Sequence, residues 1–351
     1  MERIKTAIVG YGGMGAWHGE KLMTLPEIID LTGTYDILED RQTAAKDNGL
    51  KPYPSFDAVL EDKNLELVII ATPNDLHKPQ TIALMTAGKH VVCEKPVTMS
   101  LTDLDEMIAA SAKYSRLFTV HQNRRWDEDY LIVKKILDDN TLGNVFRVEN
   151  RVQGSRGIPG DWRNKKESGG GMVLDWGVHL LDQILMLKPQ NKVVSIYAEL
   201  THITNFDVDD GFFITLTFDD GFKALAEVGT SNFITMPRWY MTGENGTAII
   251  SDWSLTGKIT KVSDWEKRDA APVVTAAGLT KTMAPRTDET IREFALPEVT
   301  SDVRDFFRNV YNVIRKDASP IVTHAQLRRV MLLMEASFKS SATNSVVAAS
   351  I

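Results

Sequence analysis

The chain has 351 residues, of which 43% are hydrophobic and 25% charged, and its formal net charge is -7. This is the composition of a globular protein long enough for two domains, and the charge gives no support to a nucleic-acid or anionic-membrane partner. The single cysteine, Cys93, excludes an intrachain disulfide and favours a reducing compartment. The N-terminus lacks a signal-peptide pattern and the apolar run 65–71 is too short for a bilayer, so we expect a cytoplasmic protein.

The first motif is an apolar segment, residues 4–9, followed by glycines in the spacing G-x-G-x-x-G and by a predicted helix over 16–24. After a buried strand, the first glycine permits a tight turn, the second lets a pyrophosphate approach, and the third lets the helix pack closely. An ordinary glycine turn is the alternative, but the position between strand and helix favours dinucleotide binding. The predicted cofactor contacts here are Gly10, Gly12, Gly13, Met14 and Gly15.

The second predicted strand, residues 28–35, ends at Asp36. This acid lies 26 positions after Gly10, near the spacing at which a carboxylate bonds the adenosine ribose hydroxyls. Its charge would repel the 2′-phosphate of NADP, so it favours NAD, although a simple turn acid is the alternative. Arg41 follows five residues later and leaves NADP open.

Helices and strands alternate up to residue 122. The predicted helices cover 40–48, 56–62, 78–87 and 101–115, and the predicted strands cover 67–71, 90–93 and 116–122. This alternation predicts a parallel sheet with helices on both faces. Because ligands bind at the carboxyl ends of such strands, the segment after residue 71 should flank the cofactor, with an ordinary turn as the alternative. Its candidate contacts are Thr72, Pro73, Asn74 and His77.

Glu94, Lys95 and Pro96 follow the strand 90–93. Pro96 restricts Lys95 to extended geometry, which fixes the direction of the amine. An amine beside a bound nicotinamide can donate to a substrate oxygen and stabilise developing alkoxide charge. A surface turn is the alternative for the isolated tripeptide.

The pattern changes from residue 123 onward, so we divide the chain into a dinucleotide-binding domain, 1–122, and a second domain, 123–351. The second part contains predicted helices around 130–137 and over 303–315 and 327–342, and predicted strands over 145–147, 196–198, 212–218 and 224–228. Turn signals at 219–221 and 243–246 indicate hairpins, and therefore a largely antiparallel sheet with one face open to another subunit. Residues 253–286 have weak periodicity and form an extended hairpin or a loop excursion.

The densest group of candidate chemistry lies between residues 161 and 182. If the segment after the glycines 169–171 is helical, Asp175 and His179 lie on one face, one turn apart, with Asp182 a turn further on. A His beside a carboxylate suits a general base. A metal pair is the less favoured interpretation because third and fourth ligands are not evident, and a surface Asp–His pair is the other alternative.

Together these motifs resemble the Gfo/Idh/MocA family of nicotinamide-dependent oxidoreductases over essentially the whole chain. The motifs that carry the resemblance are Gly10-Tyr11-Gly12-Gly13-Met14-Gly15, Thr72-Pro73-Asn74 with His77, Glu94-Lys95-Pro96, and Gly169-Gly170-Gly171 running to Asp175, His179 and Asp182. Residues 121–127 are most similar to the subgroup that contains scyllo-inositol dehydrogenases.

The resemblance implies a Rossmann domain followed by an α/β domain whose open, mostly antiparallel sheet is commonly used to form dimers or tetramers. It implies a catalytic lysine, matching Lys95, and a catalytic pair, matching Asp175 and His179. Glu94 and Asn123 are expected to position the nicotinamide and its ribose. The expected substrate contacts are Lys95, Arg124, Trp162, Asp175 and His179, although packing is the alternative for Trp162.

The expected activity is NAD-dependent oxidation of a secondary alcohol of a cyclic polyol or sugar. His179 takes the hydroxyl proton, Lys95 donates to the reacting oxygen, and Asp175 holds His179. Two alternatives stay open at this point. One is NAD-dependent glycoside cleavage through transient oxidation and elimination, and the other is a sugar- or nucleotide-sensing regulator on the same fold.

Overall fold

The computed structural model describes residues 2–351 and contains two large sheets. The elements around the first sheet are β1 (Ile4–Val9), α1 (Gly13–Met23), β2 (Ile29–Tyr35), α2 (Glu39–Asp47), β3 (Lys51–Pro52), α3 (Phe56–Glu61), β4 (Leu67–Ile70), α4 (Asn74–Thr86), β5 (His90–Cys93), α5 (Leu101–Tyr114) and β6 (Phe118–Val120). No helix among residues 2–351 is long and apolar enough to cross a bilayer.

The first sheet is parallel throughout, with strand order β3-β2-β1-β4-β5-β6. Its central strands are apolar and fully buried, as expected of a sheet covered by helices on both faces. This confirms the predicted fold class. Because parallel strands end at one edge, the loops after β1, β2, β4 and β5 lie side by side and form the platform for the site.

Two helices begin earlier than the sequence pattern predicts. α1 begins at Gly13, not residue 16, because the glycine motif itself forms the first helical turn. α4 begins at Asn74, directly after Pro73, and runs through Pro79, whereas the prediction placed residues 72–77 in a loop and began the helix at residue 78. Pro79 removes one N–H from the helix ladder, which the remaining turns of this 13-residue helix tolerate.

The second part of the chain contains α6 (Glu128–Asp138), β7 (Val145–Gln153), α7 (Val178–Leu187), β8 (Val193–Thr201), β9 (Gly211–Phe218), β10 (Lys223–Gly229), β11 (Trp239–Gly243), β12 (Gly246–Ile250), β13 (Gly257–Val262), β14 (Val273–Thr275), β15 (Gly278–Thr280), β16 (Ile291–Phe294), α8 (Arg304–Lys316), α9 (His324–Thr343) and β17 (Val347–Ala348). Short 3-10 turns cover Asn123–Trp126, Trp162–Asn164 and Lys166–Ser168, and a π-helical turn covers Val173–Gly177.

The second sheet has nine strands in the order β16-β13-β12-β11-β7-β10-β9-β8-β17. Every neighbouring pair is antiparallel except β7 and β10, which run parallel, so the predicted open and mostly antiparallel sheet is confirmed. Both predicted hairpins are present, as β9–β10 and β11–β12. The unassigned segment 253–286 contains strand β13 and the small hairpin β14–β15.

The last helix, α9, contacts both sheets. The backbone of α9 begins with a capping box formed by Thr323 and Gln326, and Nε2 of His324 lies 2.9 Å from the carbonyl of Phe118 in β6. The Ser340 hydroxyl of the same helix accepts a hydrogen bond from the backbone N–H of Ala198 in β8. The predicted division at residues 122 and 123 stays a prediction, since α9 packs against α5 on one side of it and against α7 and β8 on the other.

A buried ion pair joins the turn after β6 to α7 and α9. Arg125 donates from Nε and Nη2 to the two carboxylate oxygens of Asp182 at 2.7 and 2.6 Å, and from Nη1 to Gln326 at 3.0 Å. Both members of the pair are almost fully buried. Asp182 therefore does not continue the catalytic face of α7, as its helical spacing suggested, but holds Arg125.

We expect Arg125→Met to lower the free energy of unfolding by about 3–5 kcal/mol, because it leaves the Asp182 carboxylate buried without its partner. The double variant with Asp182→Leu should recover much of that loss. Urea unfolding followed by circular dichroism measures both. If the loss of unfolding free energy in the double variant equalled the sum of the losses in the two single variants, the pairing would be contradicted.

Candidate active site

The glycine loop is shaped by close backbone approaches and opens at its centre. Gly10 has φ +88°, and a Cβ there would lie 2.6 Å from the carbonyl oxygen of Ala71. A Cβ on Gly15 would lie 1.9 Å from the carbonyl oxygen of Gly10. Gly12 and Gly13 face open space, and α1 begins there without a side-chain cap. The free N–H groups at this helix start fit a pyrophosphate, as predicted for this loop.

Asp36 lies at the end of β2 with its carboxylate turned to the glycine loop. Oδ2 accepts from the backbone N–H of Tyr11 at 2.6 Å, and Oδ1 accepts from that of Leu38 at 2.9 Å. Two backbone donors thus fix a negative charge beside the place predicted for the adenosine ribose.

The segment after β4 makes hydrogen bonds that join neighbouring loops. Both ring nitrogens of the fully buried His77 lie 2.9 Å from carbonyl oxygens, those of Thr72 and Pro96. Asn74 donates to the carbonyl of Gly169 at 3.0 Å. The side chains of His77 and Asn74 therefore hold loops together, and Thr72 and exposed Pro73 lie beside the glycine loop. All four stay predicted cofactor contacts.

Lys95 and Asp175 meet directly across the two parts of the chain. Nζ of Lys95 donates to Oδ1 and to the backbone carbonyl of Asp175, both at 3.0 Å. Oδ2 of Asp175 accepts from Nε of Arg163 at 2.9 Å. Burial raises the pKa of Asp175, but the positive charges of Lys95 and Arg163 outweigh it and hold that pKa below its ordinary value.

The predicted one-turn pairing of Asp175 with His179 spans a junction between two kinds of helix and stays a prediction. Residues Val173–Gly177 form a π-helical turn, and the α-helix with His179 begins only at Val178. The Asp175 carboxylate is held by Lys95 and by Arg163, a residue that the sequence reading did not single out.

His179 is 4% exposed, and its Nδ1 is buried without a hydrogen-bond partner. Burial, together with the positive charges of Lys95 and Arg124, holds the pKa of His179 well below its ordinary value. The imidazole is therefore neutral at neutral pH and can accept a proton.

The glycines 169–171 let the loop before the π turn pack against the first part of the chain. A Cβ on Gly169 would lie 2.9 Å from Met99, and one on Gly171 would lie 2.3 Å from Oδ1 of Asp209. Oδ2 of Asp209 accepts from the backbone N–H of Val173 at 2.7 Å, at the start of the π turn. Asp209 thus fixes the segment that carries Asp175, and nothing in the sequence pattern indicated it.

An aromatic and cationic wall, formed by Arg124, Trp176 and Trp253, lies next to His179. The Arg124 guanidinium lies 4.3 Å from the Trp176 ring centre and 5.3 Å from that of Trp253. The Trp176 and His179 ring centres are 5.8 Å apart. Trp253 comes from the unassigned excursion, so sequence reading missed it. Trp162, a predicted substrate contact, packs against Arg163, with 4.5 Å between the guanidinium carbon and the ring centre.

Glu94 and Asn123, both expected near the nicotinamide, differ in their hydrogen-bond partners. The Glu94 carboxylate points into the interior, where it accepts hydrogen bonds from His18 and His121. Its predicted contact with the cofactor stays a prediction. Oδ1 of Asn123 is buried without a partner, as expected of an atom that accepts from a bound carboxamide.

Comparison with known proteins agrees with this geometry. Residues 4–122 match an oxidoreductase family with an NAD-binding Rossmann fold, and residues 130–249 match the GFO/IDH/MocA C-terminal domain. The chain belongs to the Gfo/Idh/MocA family. It is therefore an oxidoreductase, and its predicted cofactor class and fold are those of the family.

Three proteins show the range of similarity within the Gfo/Idh/MocA family. A solved NAD-binding protein from Listeria innocua is 45% identical and covers 99% of this chain and 100% of its own, with TM-score 0.95. The scyllo-inositol 2-dehydrogenase (NADP(+)) IolW of Bacillus subtilis is 28% identical over 359 residues, 97% of this chain and 94% of that protein. An uncharacterized oxidoreductase of Schizosaccharomyces pombe is 34% identical over 229 residues, and the match spans only 62% of this chain and 61% of the yeast protein.

Asp209 predicts a measurable pH dependence. Burial raises its pKa to about 6 from an ordinary 3.8, so the folded state holds this proton more tightly than the unfolded state. Protonation of Asp209 makes its full contribution to the free energy of unfolding below about pH 4, and this contribution is lost as the pH rises to about 6. We expect the stability of the wild type relative to Asp209→Asn to fall by about 3 kcal/mol between pH 4 and 7. Urea unfolding at several pH values measures this difference, and a difference independent of pH would contradict it.

Proposed function

We propose that this enzyme oxidises one secondary alcohol of a cyclic, inositol-like polyol or sugar to the ketone, with NAD as the hydride acceptor. The observation that carries the proposal is the contact of Lys95 with Asp175. It places an ammonium group from the end of a Rossmann strand against the second part of the chain, beside a neutral histidine. The name of IolW, which aligns over nearly the whole chain, supports an inositol-like substrate.

The residues present fit NAD. The open positions at Gly12 and Gly13 and the uncapped start of α1 suit the pyrophosphate, and the orphaned Oδ1 of Asn123 suits the carboxamide. The fixed charge of Asp36 disfavours a 2′-phosphate and supports NAD over NADP, although IolW is named for NADP(+) and Arg41 is nearby. When bound, the nicotinamide supplies the hydride acceptor.

In the proposed reaction, the neutral His179 accepts the proton of the substrate hydroxyl. Lys95 donates to the same oxygen and stabilises the negative charge that develops there. Asp175, held by Lys95 and Arg163, fixes the direction of the lysine and keeps the local charge balanced. The rings of Trp176 and Trp253 offer apolar faces for the C–H side of a polyol ring, while Arg124 offers donors for its hydroxyl groups.

We also propose a homodimer or homotetramer formed through the second sheet. The helices α7 and α9 cover one face of this sheet. The opposite face carries Phe213, which is 39% exposed, next to the ion pair of Arg151 with Glu227. Sedimentation that gives a monomer at micromolar concentration would contradict this assembly.

A panel of inositols, aldoses and glycosides, each assayed with NAD and with NADP, tests the proposed activity. We expect net NADH from an inositol, and a preference of about fivefold or more for NAD, since a phosphate charge near Asp36 costs about 1 kcal/mol even in water. Release of an aglycone without net reduction would show glycoside cleavage instead. Retained NAD binding, a bound protein partner and no turnover of any compound would show a sensor.

His179 is tested by its own variants. His179→Ala and His179→Gln should each lower kcat by about a hundredfold or more, because neither side chain can take the hydroxyl proton, while the Kd for NAD stays within about threefold. The exposed His202, changed to Ala, is the control and should keep wild-type kcat. Wild-type turnover in either His179 variant would remove the histidine from the mechanism.

A further inference from the structure

Behind Lys95 lies a buried cluster of three side chains, His18, Glu94 and His121. Oε1 of Glu94 accepts from Nε2 of His18 at 2.7 Å and from Nδ1 of His121 at 2.9 Å. Oε2 accepts from the backbone N–H of Lys95 at 3.1 Å. One carboxylate therefore joins two imidazoles to the backbone of the proposed catalytic lysine.

The cluster connects separate elements of the fold. His18 lies in α1, the helix that begins at the glycine loop, while Glu94 follows β5 and His121 follows β6. The two imidazole centres are 4.7 Å apart. Phe306 and Phe307 of α8 pack against the imidazole of His121, and Phe307 also contacts that of His18. The helix of the cofactor site is thus linked to Lys95 through interior contacts.

These three residues also have spacing that would suit a metal ion. The distances favour hydrogen bonds, because the oxygen lies 2.7 and 2.9 Å from the two nitrogens. Ligands of a tetrahedral zinc ion, each about 2.1 Å from it, lie roughly 3.4 Å from one another. Among residues 2–351 no fourth His, Cys, Asp or Glu joins the group.

The charge state of the cluster follows from its contacts. Burial raises the pKa of Glu94, but hydrogen bonds and charge interactions with His121 and His18 hold it well below its ordinary value. Burial lowers the pKa of His18. An ionised carboxylate that receives two imidazole N–H groups has a fixed orientation, and so does the backbone N–H that it accepts from.

We propose that His18 and His121 are positioning residues for Lys95. They orient Glu94 so that its second oxygen fixes the Lys95 backbone, and the ammonium group then reaches Asp175 and the substrate oxygen. The effect on turnover rests on the proposed function. The effect on the geometry of Lys95 does not rest on the proposed function, and it can be measured separately.

Matched variants test the role of the two N–H groups. His18→Gln and His121→Asn keep an N–H close to the position of the original donor, since His18 uses Nε2 and His121 uses Nδ1. The exchanged pair, His18→Asn and His121→Gln, keeps a similar size and polarity but moves the donor. His324→Leu is the control, because it removes a different imidazole contact, to the Phe118 carbonyl, that does not involve Glu94.

Two readouts are needed. The first is kcat and KM with NAD and an inositol, and the second is the rate at which trace acetic anhydride acylates Lys95, measured by peptide mass spectrometry. In the exchanged pair we expect kcat to fall about tenfold or more with KM changed less than about threefold, since small displacements of a reacting group are costly. Lys95 should acylate at least about threefold faster, because its contact with Asp175 loosens. His18→Gln, His121→Asn and the control should stay within about threefold of wild type in their kinetic constants and in the acylation rate of Lys95.

Acylation of Lys95 at the wild-type rate in folded exchanged variants would overturn the proposal. One equivalent of zinc in the purified wild type, lost in these variants, would overturn it in favour of a metal site. If the wild type oxidises no polyol, the proposed function fails, and the acylation rates still decide the positioning role.

Discussion

The ion pair of Lys95 with Asp175 is the contact on which the arrangement of this site depends. Lys95 stands at the carboxyl end of a central strand of the parallel sheet, and Asp175 stands in the π turn before α7. The pair therefore fixes where the second part of the chain meets the cofactor edge of the first. The hydrogen bond of Asn74 to Gly169 reinforces the same junction. A substrate between the two parts would meet groups from both.

The charges at this junction hold each group in the protonation state that its proposed role needs. Asp175 stays ionised because two cations outweigh its burial. His179 stays neutral because it is buried near the charges of Lys95 and Arg124. A neutral imidazole beside an ammonium group fits the proposed alcohol oxidation, in which one group takes the proton while the other stabilises the oxygen.

Local sequence signals predicted most strands of the first sheet but missed the two-residue strand β3. The strand of residues 4–9, the glycine spacing and the hairpin at 243–246 each depend on neighbouring residues, and each was predicted correctly. The one-turn pairing of Asp175 with His179 assumed one continuous α-helix, whereas a π turn covers Val173–Gly177 and its first N–H donates to Asp209, far along the chain. Likewise, Arg163, Trp253 and the histidines around Glu94 come together only through tertiary contacts, which no spacing along the sequence reveals.

Residues 253–286 and the C-terminal helices also contribute to the site through tertiary contacts that the sequence pattern does not reveal. Trp253 belongs to a segment with weak periodicity, yet its ring lies 6.2 Å from that of Trp176, centre to centre, in the wall beside His179. Phe306 and Phe307 lie in a helix to which the sequence pattern assigned no role in the site, and in the structure they cover the histidines behind Lys95.

Direct transfer of hydrogen from substrate carbon to cofactor is the central claim. It is tested most directly with an inositol that carries deuterium at its ring carbons, incubated with the enzyme and NAD, followed by mass spectrometry of the reduced cofactor. The account predicts NADH that is heavier by one deuterium. Reduced cofactor without deuterium, or ketone formed without reduced cofactor, would contradict it.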